Sequence, residues 1–144
     1  MHNPVMLREV LETLSPQKQE TYIDATFGAG GYSRAILETA ECSVVALDRD
    51  PEAFERAESL KAHYPDRFTF FPGRFSDMST FLPPLDYDGI VFDLGVSSPQ
   101  LDEAERGFSF KHEGPLDMRM ERQGVSAADV VNTFEEKEIA RIVW

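Results

Sequence analysis

The tightest constraint on this chain is the stretch Tyr22-Ile23-Asp24-Ala25-Thr26-Phe27-Gly28-Ala29-Gly30-Gly31, followed directly by Tyr32-Ser33-Arg34-Ala35-Ile36-Leu37. A β-prone run ends in a carboxylate, a glycine-rich turn follows, and the next residues have helical spacing. In an open parallel sheet, the turn after the first strand is where a nucleotide-like ligand lies against the strand ends. Glycine there admits positive φ and keeps a Cβ out of the ligand's way. The spacing is D-x-x-x-G-x-G-G, without the G-x-G-x-x-G that suits a pyrophosphate, and no Lys-Ser/Thr pair follows as in a P-loop. A plain tight turn has the same look, so a second feature has to decide.

That feature is Asp48. Val44-Val45-Ala46-Leu47 is a short apolar run of the kind a buried parallel strand shows, and it ends at this acid. A carboxylate roughly 20 residues past the glycine turn is where ribose hydroxyls are held in adenosine sites. Asp48 also reads as a strand-end turn former, since Asp50 and Pro51 follow it. Turn and acid together favour an adenosine-containing ligand over a bare α/β scaffold.

The remaining pattern extends that scaffold. Asn3-Pro4 offers an N-cap and a first-turn proline, and Val5, Leu7, Val10, Leu11 and Leu14 give one apolar helical face before Ser15-Pro16 breaks it. Strands are expected over Thr21–Ala25, Ser43–Leu47, Phe68–Phe71 and Tyr87–Leu94. Helices are expected from the glycine turn to Thr39, and from Asp50-Pro51 onward with Ala53, Phe54, Ala57 and Leu60 facing inward. The alternation is α/β, with right-handed crossovers and about four parallel strands, the last at an edge. From Gly95 to Gly124 the periodicity stops, although the aromatic content argues against disorder. Capping boxes at Ser126–Asp129 and Thr133–Glu136 then predict two short helices.

Composition narrows the function classes. The 144 residues suffice for one core, and 42% apolar residues is ordinary for a globular chain. No run approaches a membrane span, so no membrane partner is expected. The single cysteine, Cys42, fits a reducing cytoplasm. A net charge of −12 argues against this stretch gripping a nucleic-acid backbone by itself. His2, His63 and His112 match no metal-ligand spacing, and no histidine is placed to serve Ser97 or Ser98 as a hydrolase base. The fourth strand delivers Asp93 to the carboxyl edge of the sheet. Leu94-Gly95-Val96-Ser97-Ser98-Pro99-Gln100 follows, either as a source of hydrogen-bond acceptors or as an ordinary Ser-Pro turn. Phe108 and Phe110 either stack on a base or form the loop's own small core.

Six motifs match one family: His2-x-Pro4-Val5-Met6, Asp24 to Gly31, Leu47-Asp-Arg-Asp-Pro51, Asp93 to Asp102, Glu105-Arg-Gly-Phe-Ser-Phe110 and Gly114-Pro-Leu-Asp-Met-Arg-Met120. Together they resemble the MraW-type methyltransferases, over nearly the whole chain. The resemblance implies a Rossmann-like class I methyltransferase sheet, here its front half, with the start of a helical insert. It implies methyl transfer from S-adenosylmethionine to the exocyclic amine of a cytidine in small-subunit ribosomal RNA, free or in the assembled subunit, in the cytoplasm. The cofactor positions carry over as Gly30, Gly31, Tyr32 (often His in the family), Asp48, Phe75 beside the adenine, Asp93 and Gln100. Asp93 and Gln100 are also the expected catalytic residues, and no metal is expected. The organisation becomes 1–94 as the cofactor half, 95–124 as an acceptor-side loop and 125–144 as the first insert helices. Family members continue further, so the chain is expected to be a truncated form, inactive alone and prone to self-association through its exposed sheet edge. The alternative is a donor-binding module without activity. A nicotinamide-dependent oxidoreductase is disfavoured by the glycine spacing.

Overall fold

Three apolar runs and a Gly-Ile-Val segment pair in parallel because each is too short and too apolar to fold alone. The computed structural model describes residues 4–144, and the chain divides into two compact units, residues 1–95 and 96–144. In the first unit, α1 (Leu7–Leu14) leads into β1 (Thr21–Asp24), α2 (Gly31–Thr39), β2 (Ser43–Asp48), α3 (Glu52–His63) and β3 (Phe68–Pro72). A 3-10 turn (Phe75–Asp77), α4 (Met78–Phe81) and β4 (Gly89–Val91) complete it. All pairings are parallel, in the order β3-β2-β1-β4. The α/β class, the four strands and the edge position of the last are as the sequence predicts.

Alternation along the strands builds two faces. Tyr22, Val44, Ala46 and Phe68 point to one, where Ile36 and Leu37 of α2 and Ala53, Ala57 and Leu60 of α3 cover them, with α1 packed alongside. Ile23 and Leu47 point to the other, covered by Met78, Phe81, Leu82 and Tyr87. Arg67 fastens the end of α2: its Nη1 donates to the carbonyls of Leu37, Ala40 and Cys42 at 3.2, 3.0 and 3.1 Å. Its guanidinium also lies 5.0 Å from the centre of the Tyr64 ring. These carbonyls would otherwise be the unsatisfied acceptors of a helix end.

Several points differ from the sequence reading. β4 is three residues, not the eight of Tyr87–Leu94, because among the described residues its one partner is the short β1. The Asp88 carboxylate takes the Thr21 N–H at one end (2.8 Å) and Thr26 Oγ1 takes the Asp93 N–H at the other (2.7 Å), so local side chains replace the ladder. The first helix begins at Leu7 from Met6, whose φ is 59°; Asn3 lies outside the described residues, and Pro4 and Val5 precede the helix. Phe54 is not an inner residue but sits at the rim, its ring 5.5 Å from Phe70.

In the second unit, α5 (Ser98–Asp102) and a 3-10 turn (Ala104–Arg106) occupy the stretch where the sequence shows no periodicity. α6 (Ala127–Thr133) and α7 (Glu136–Val143) follow. The Ser126–Asp129 capping box is present. The second box is Glu135–Glu138, not Thr133–Glu136, because Thr133 still belongs to α6 and its hydroxyl donates to the Asp129 carbonyl (2.7 Å). Buried Arg106 organises the loop between, donating to the carbonyls of Arg119 and Met120 and resting over Phe108. Asp117 pairs with Arg119 at 2.5 Å, and the guanidinium's hydrogen bonds hold that carboxyl down at about 2.

Among the described residues β4 has no strand on its outer side, and Ile90 beside that edge is 42% exposed. Unpaired edges template association, and a charge on the edge strand suppresses it. We expect sedimentation to show an average mass rising with concentration above the 16.3 kDa of one chain, and Ile90→Lys to remove the rise. A wild-type chain that stays monomeric throughout refutes this.

Candidate active site

Parallel strands deliver their carboxyl ends to one edge, and the chain reverses its direction of winding at β1: β2 and β3 lie on one side of it and β4 on the other. Such a reversal, here beyond the ends of β1 and β4, is where open α/β sheets bind ligands. The turn after β1 is fastened to both neighbours. Ala25 N–H donates to the Val91 carbonyl at 2.9 Å, Phe27 N–H to the Leu47 carbonyl at 3.0 Å and Gly28 N–H to Asp48 Oδ2 at 2.7 Å. Gly28 and Gly30 have φ of 53° and 80°, the left-handed region that glycine enters at least cost.

The glycines also answer to the protein's own packing. A Cβ on Gly30 would stand 2.8 Å from the Phe27 ring, and one on Gly31 would stand 2.8 Å from Pro4 Cδ and closer still to Cγ. Gly30 is the N-cap of α2 and, having no side chain, supplies no cap to the first amides of that helix, Gly31 and Tyr32 among them. Such amides receive anionic groups. Tyr32 is buried, its hydroxyl donates to the Val5 carbonyl, and burial raises its pKa, with the charges of Asp93, Asp24 and Glu9 adding to the rise.

Three acids stand at this edge in three environments. Asp48 is half-buried and accepts from Gly28 and, through Oδ1, from Asp50 N–H at 2.9 Å. Asp93 is exposed, its backbone pinned to Thr26. Asp24 is wholly buried; Ser33 Oγ donates to it at 2.6 Å and Thr26 N–H at 3.3 Å. Loss of solvent outweighs those bonds and lifts its pKa to about 6, with the nearby charge of Asp48 adding to the rise.

Phe75 follows β3 and is 42% exposed; its ring meets Phe92, just after β4, edge to face at 5.5 Å and 85°. β3 and β4 are opposite edges of the sheet, so the chain after β3 runs back across the ends of β2 and β1 to make this contact. Gly30, Gly31, Tyr32, Asp48, Phe75 and Asp93 therefore all stand at the carboxyl edge of the first unit. Gln100 belongs to the second unit. It is buried in the capping box of α5, its Oε1 accepting from Ser97 N–H at 3.0 Å. The expected Ser-Pro turn is thus a helix start. Two site residues escaped the sequence reading, Asp24 and Phe92. Asp24 was legible as the acid ending the first strand, whereas nothing local marks Phe92. Of the alternatives for the loop aromatics, Phe108 lies under Arg106 and Phe110 is fully exposed beside Lys111 and His112. No described group of three or more His, Cys, Asp or Glu could hold a metal, and no described helix is long and apolar enough to cross a membrane.

Comparison with known proteins gives concordant matches. The MraW methylase family matches residues 1–144. The chain is 59% identical over 143 residues to the ribosomal RNA small subunit methyltransferase H of Rickettsia akari, covering 99% of this chain and 47% of that protein. It is 58% identical, with the same coverage, to the protein of that name from Rickettsia massiliae. The chain thus spans about half the length of the curated relatives it matches. In structure it is similar to an rRNA methylase from Streptococcus thermophilus, at a TM-score of 0.55 and 13% identity over 66% of this chain and 58% of that one. It is similar also to the C-terminal domain of the precorrin-6Y C5,15-methyltransferase of Rhodobacter capsulatus, with TM-score 0.55, 18% identity and coverage of 65% and 50%. At such identities the structural likeness concerns the fold.

Asp24 sets a pH dependence. Its folded pKa is raised, so its contribution to stability is present below the unfolded value near 3.8 and is lost as pH rises through about 6. The loss amounts to about 2–3 kcal/mol at 1.36 kcal/mol per unit. We expect Asp24→Asn to gain on wild type by about that much between roughly pH 4 and pH 7.5 in urea titrations. A constant gap across that range refutes the assignment.

Proposed function

Because the chain belongs to the MraW methylase family, we propose that its sheet edge binds S-adenosylmethionine and that the whole protein methylates the exocyclic N4 amine of a cytidine in small-subunit ribosomal RNA. The observation that carries this reading is the winding reversal at β1, at whose carboxyl edge a glycine turn, a strand-end acid and an exposed carboxylate stand together. The residues fit the donor. The α2 amides of Gly31 and Tyr32 suit its amino-acid carboxylate, Asp48 has lone pairs left for ribose hydroxyls, Phe75 offers a half-exposed ring to the adenine, and the acidic edge complements a sulfonium. When bound, the donor supplies an electrophilic methyl group.

The chain's own part in the reaction is to position and polarise. An exocyclic amine of a base is a poor nucleophile because its lone pair is delocalised into the ring. Asp93, held by its backbone at the end of β4 with its carboxylate exposed, accepts a hydrogen bond from that amine and favours its pyramidal form in the transition state. The carboxylate need not remove the proton first; an aniline-like amine is far too weak an acid for that. Its role is electrostatic. A cytidine amine occupied in pairing is out of reach, so the substrate is a single-stranded or splayed base. Phe110, exposed next to Lys111 and His112, is available to stack on such a strand. Gln100, a further cofactor contact in this reading, would act from within its capping box. The net charge of −12 means that affinity for RNA has to come mainly from outside these residues. The self-contained alternative, donor binding without transfer, shares every contact except the amine.

Titration calorimetry with S-adenosylhomocysteine tests the donor half. Asp48→Ala should weaken binding by about 1–3 kcal/mol, the cost of hydroxyls losing a charged acceptor, while exposed Glu55→Ala leaves it unchanged. Asp48 also ties down Gly28, so the ribose contact is separated from the tie with an analogue lacking ribose hydroxyls. Wild type should discriminate against it and Asp48→Ala should not; equal discrimination sinks the ribose assignment. In the complete enzyme, Asp93→Asn should lower kcat by about 100-fold or more with donor affinity nearly kept. A loss confined to donor affinity would reduce Asp93 to a donor contact. The 144-residue chain alone should give no turnover on naked ribosomal RNA, and labelled methyl appearing in cytidine would refute that.

A further inference from the structure

Pro4-Val5-Met6 is a motif that the proposed reaction leaves without a task. Its backbone is held while its side chains are not. Val5 is 72% exposed and Met6 62% exposed, yet the Val5 carbonyl accepts the hydrogen bond of the buried Tyr32 hydroxyl. The Pro4 ring fills the place where Gly31 would carry a side chain. Met6 then turns the chain through a left-handed conformation, φ 59°, and its carbonyl takes the Val10 N–H at 3.0 Å to start α1. A segment fixed only for packing buries its apolar side chains and leaves its backbone to water. This one does the reverse, and it does so against the first two residues of α2, which are two of the three glycine-turn positions assigned to the donor.

We propose that Pro4–Met6 is a strap, fastened to the start of α2 by the Tyr32 hydroxyl and the Gly31–Pro4 contact, that walls the amino-acid end of the methyl-donor site and slows the donor's escape. The proposal rests on the donor reading above and adds a residue role to it. Tyr32 contributes its amide to the ligand and its side chain to the strap, acting on the ligand through Val5. The exposed Val5 and Met6 side chains suit the methylene portion of the donor's amino-acid chain, which offers no hydrogen-bonding groups. The raised pKa of Tyr32, whose ring faces the charges of Asp93, Asp24 and Glu9, keeps the phenol protonated and donating through neutral pH.

The test is stopped-flow displacement of bound S-adenosylhomocysteine from the full chain, comparing wild type, Tyr32→Phe, Pro4→Gly and the double variant. Tyr32→Phe removes only the hydroxyl and keeps the buried ring, so the fold is retained. Each single variant should release ligand about fivefold to tenfold faster, the range one net hydrogen bond carries, with association within about twofold of wild type. The double variant should be no faster than the faster single one, because both undo the same strap. The urea midpoint should hold. Release at the wild-type rate in Tyr32→Phe overturns the proposal, as does a fully multiplicative double variant or a rate gain matched by an equal loss of global stability. A wild-type chain that binds no S-adenosylhomocysteine overturns the donor reading itself, and the strap's role with it.

Discussion

The Asp48 carboxylate is the peg on which the ligand edge hangs. It ends β2, takes the Gly28 amide of the turn after β1, and takes the Asp50 amide that leads into α3. Charge-assisted bonds of this kind are about twice as strong as neutral ones. Without them the glycine turn would lose its tie to the Asp48 side chain and rest on its bonds to Leu47, Val91, Asp24 and Asp93, in a stretch where two residues already have positive φ. One side chain therefore sets the height of the turn above the sheet, and so where the α2 amides point. Asp48 does this with one lone pair on each oxygen, which leaves the others for a ligand hydroxyl. The scaffold role and the binding role are compatible because a carboxylate has about four acceptor positions.

Environment separates the three acids of this edge more than their chemistry does. Asp24 loses all contact with water, and its bonds to Ser33 and Thr26 do not repay the desolvation. Asp48 keeps partial exposure and two N–H donors. Asp93 keeps its carboxylate in the open, with only its amide engaged. A group meant to meet an incoming amine has to be the exposed one. Asp24, at the centre of the sheet, instead orients Ser33 in the first turn of α2 and so couples that helix to the end of β1.

The sequence shows clearly whatever is local. Apolar runs, the glycine turn, the strand-end Asp48 and the Ser126 cap can all be recognised from neighbours a few residues apart, and the structure has each of them. What it does not show is set by distant partners. The length of β4 depends on where β1 stops and on Asp88 and Thr26 reaching across 67 residues of chain. The helix at Ser98 is only five residues long, too short to show a period, and its cap became recognisable only once Gln100 was seen folded back onto Ser97. The burial of Asp24 has no sequence signature beyond its position at a strand end. For the candidate site, the glycine turn, Asp48 and Asp93 came from spacing, Gln100 was read first as a possible acceptor in the Ser-Pro segment, and Phe75 came from family resemblance alone.

Phe92 shows why geometry adds to that list. Its ring follows the strand at one edge of the sheet and meets Phe75, which follows the strand at the other. The pair therefore crosses the ends of β1 and β2, next to the ground assigned to the adenine. An edge-to-face aromatic pair is worth about 0.5–1.5 kcal/mol beyond the area it buries. Stacking of a base on an aromatic side chain is worth about 1–3 kcal/mol. The two ranges overlap, with stacking the larger at its upper end, so the ring pair is no large barrier to an adenine. Both rings are more than 40% exposed, so neither is locked by packing and each has room to turn. On the donor reading proposed above, Phe75 would pass from ring partner to base partner by turning its own side chain, without the sheet having to move.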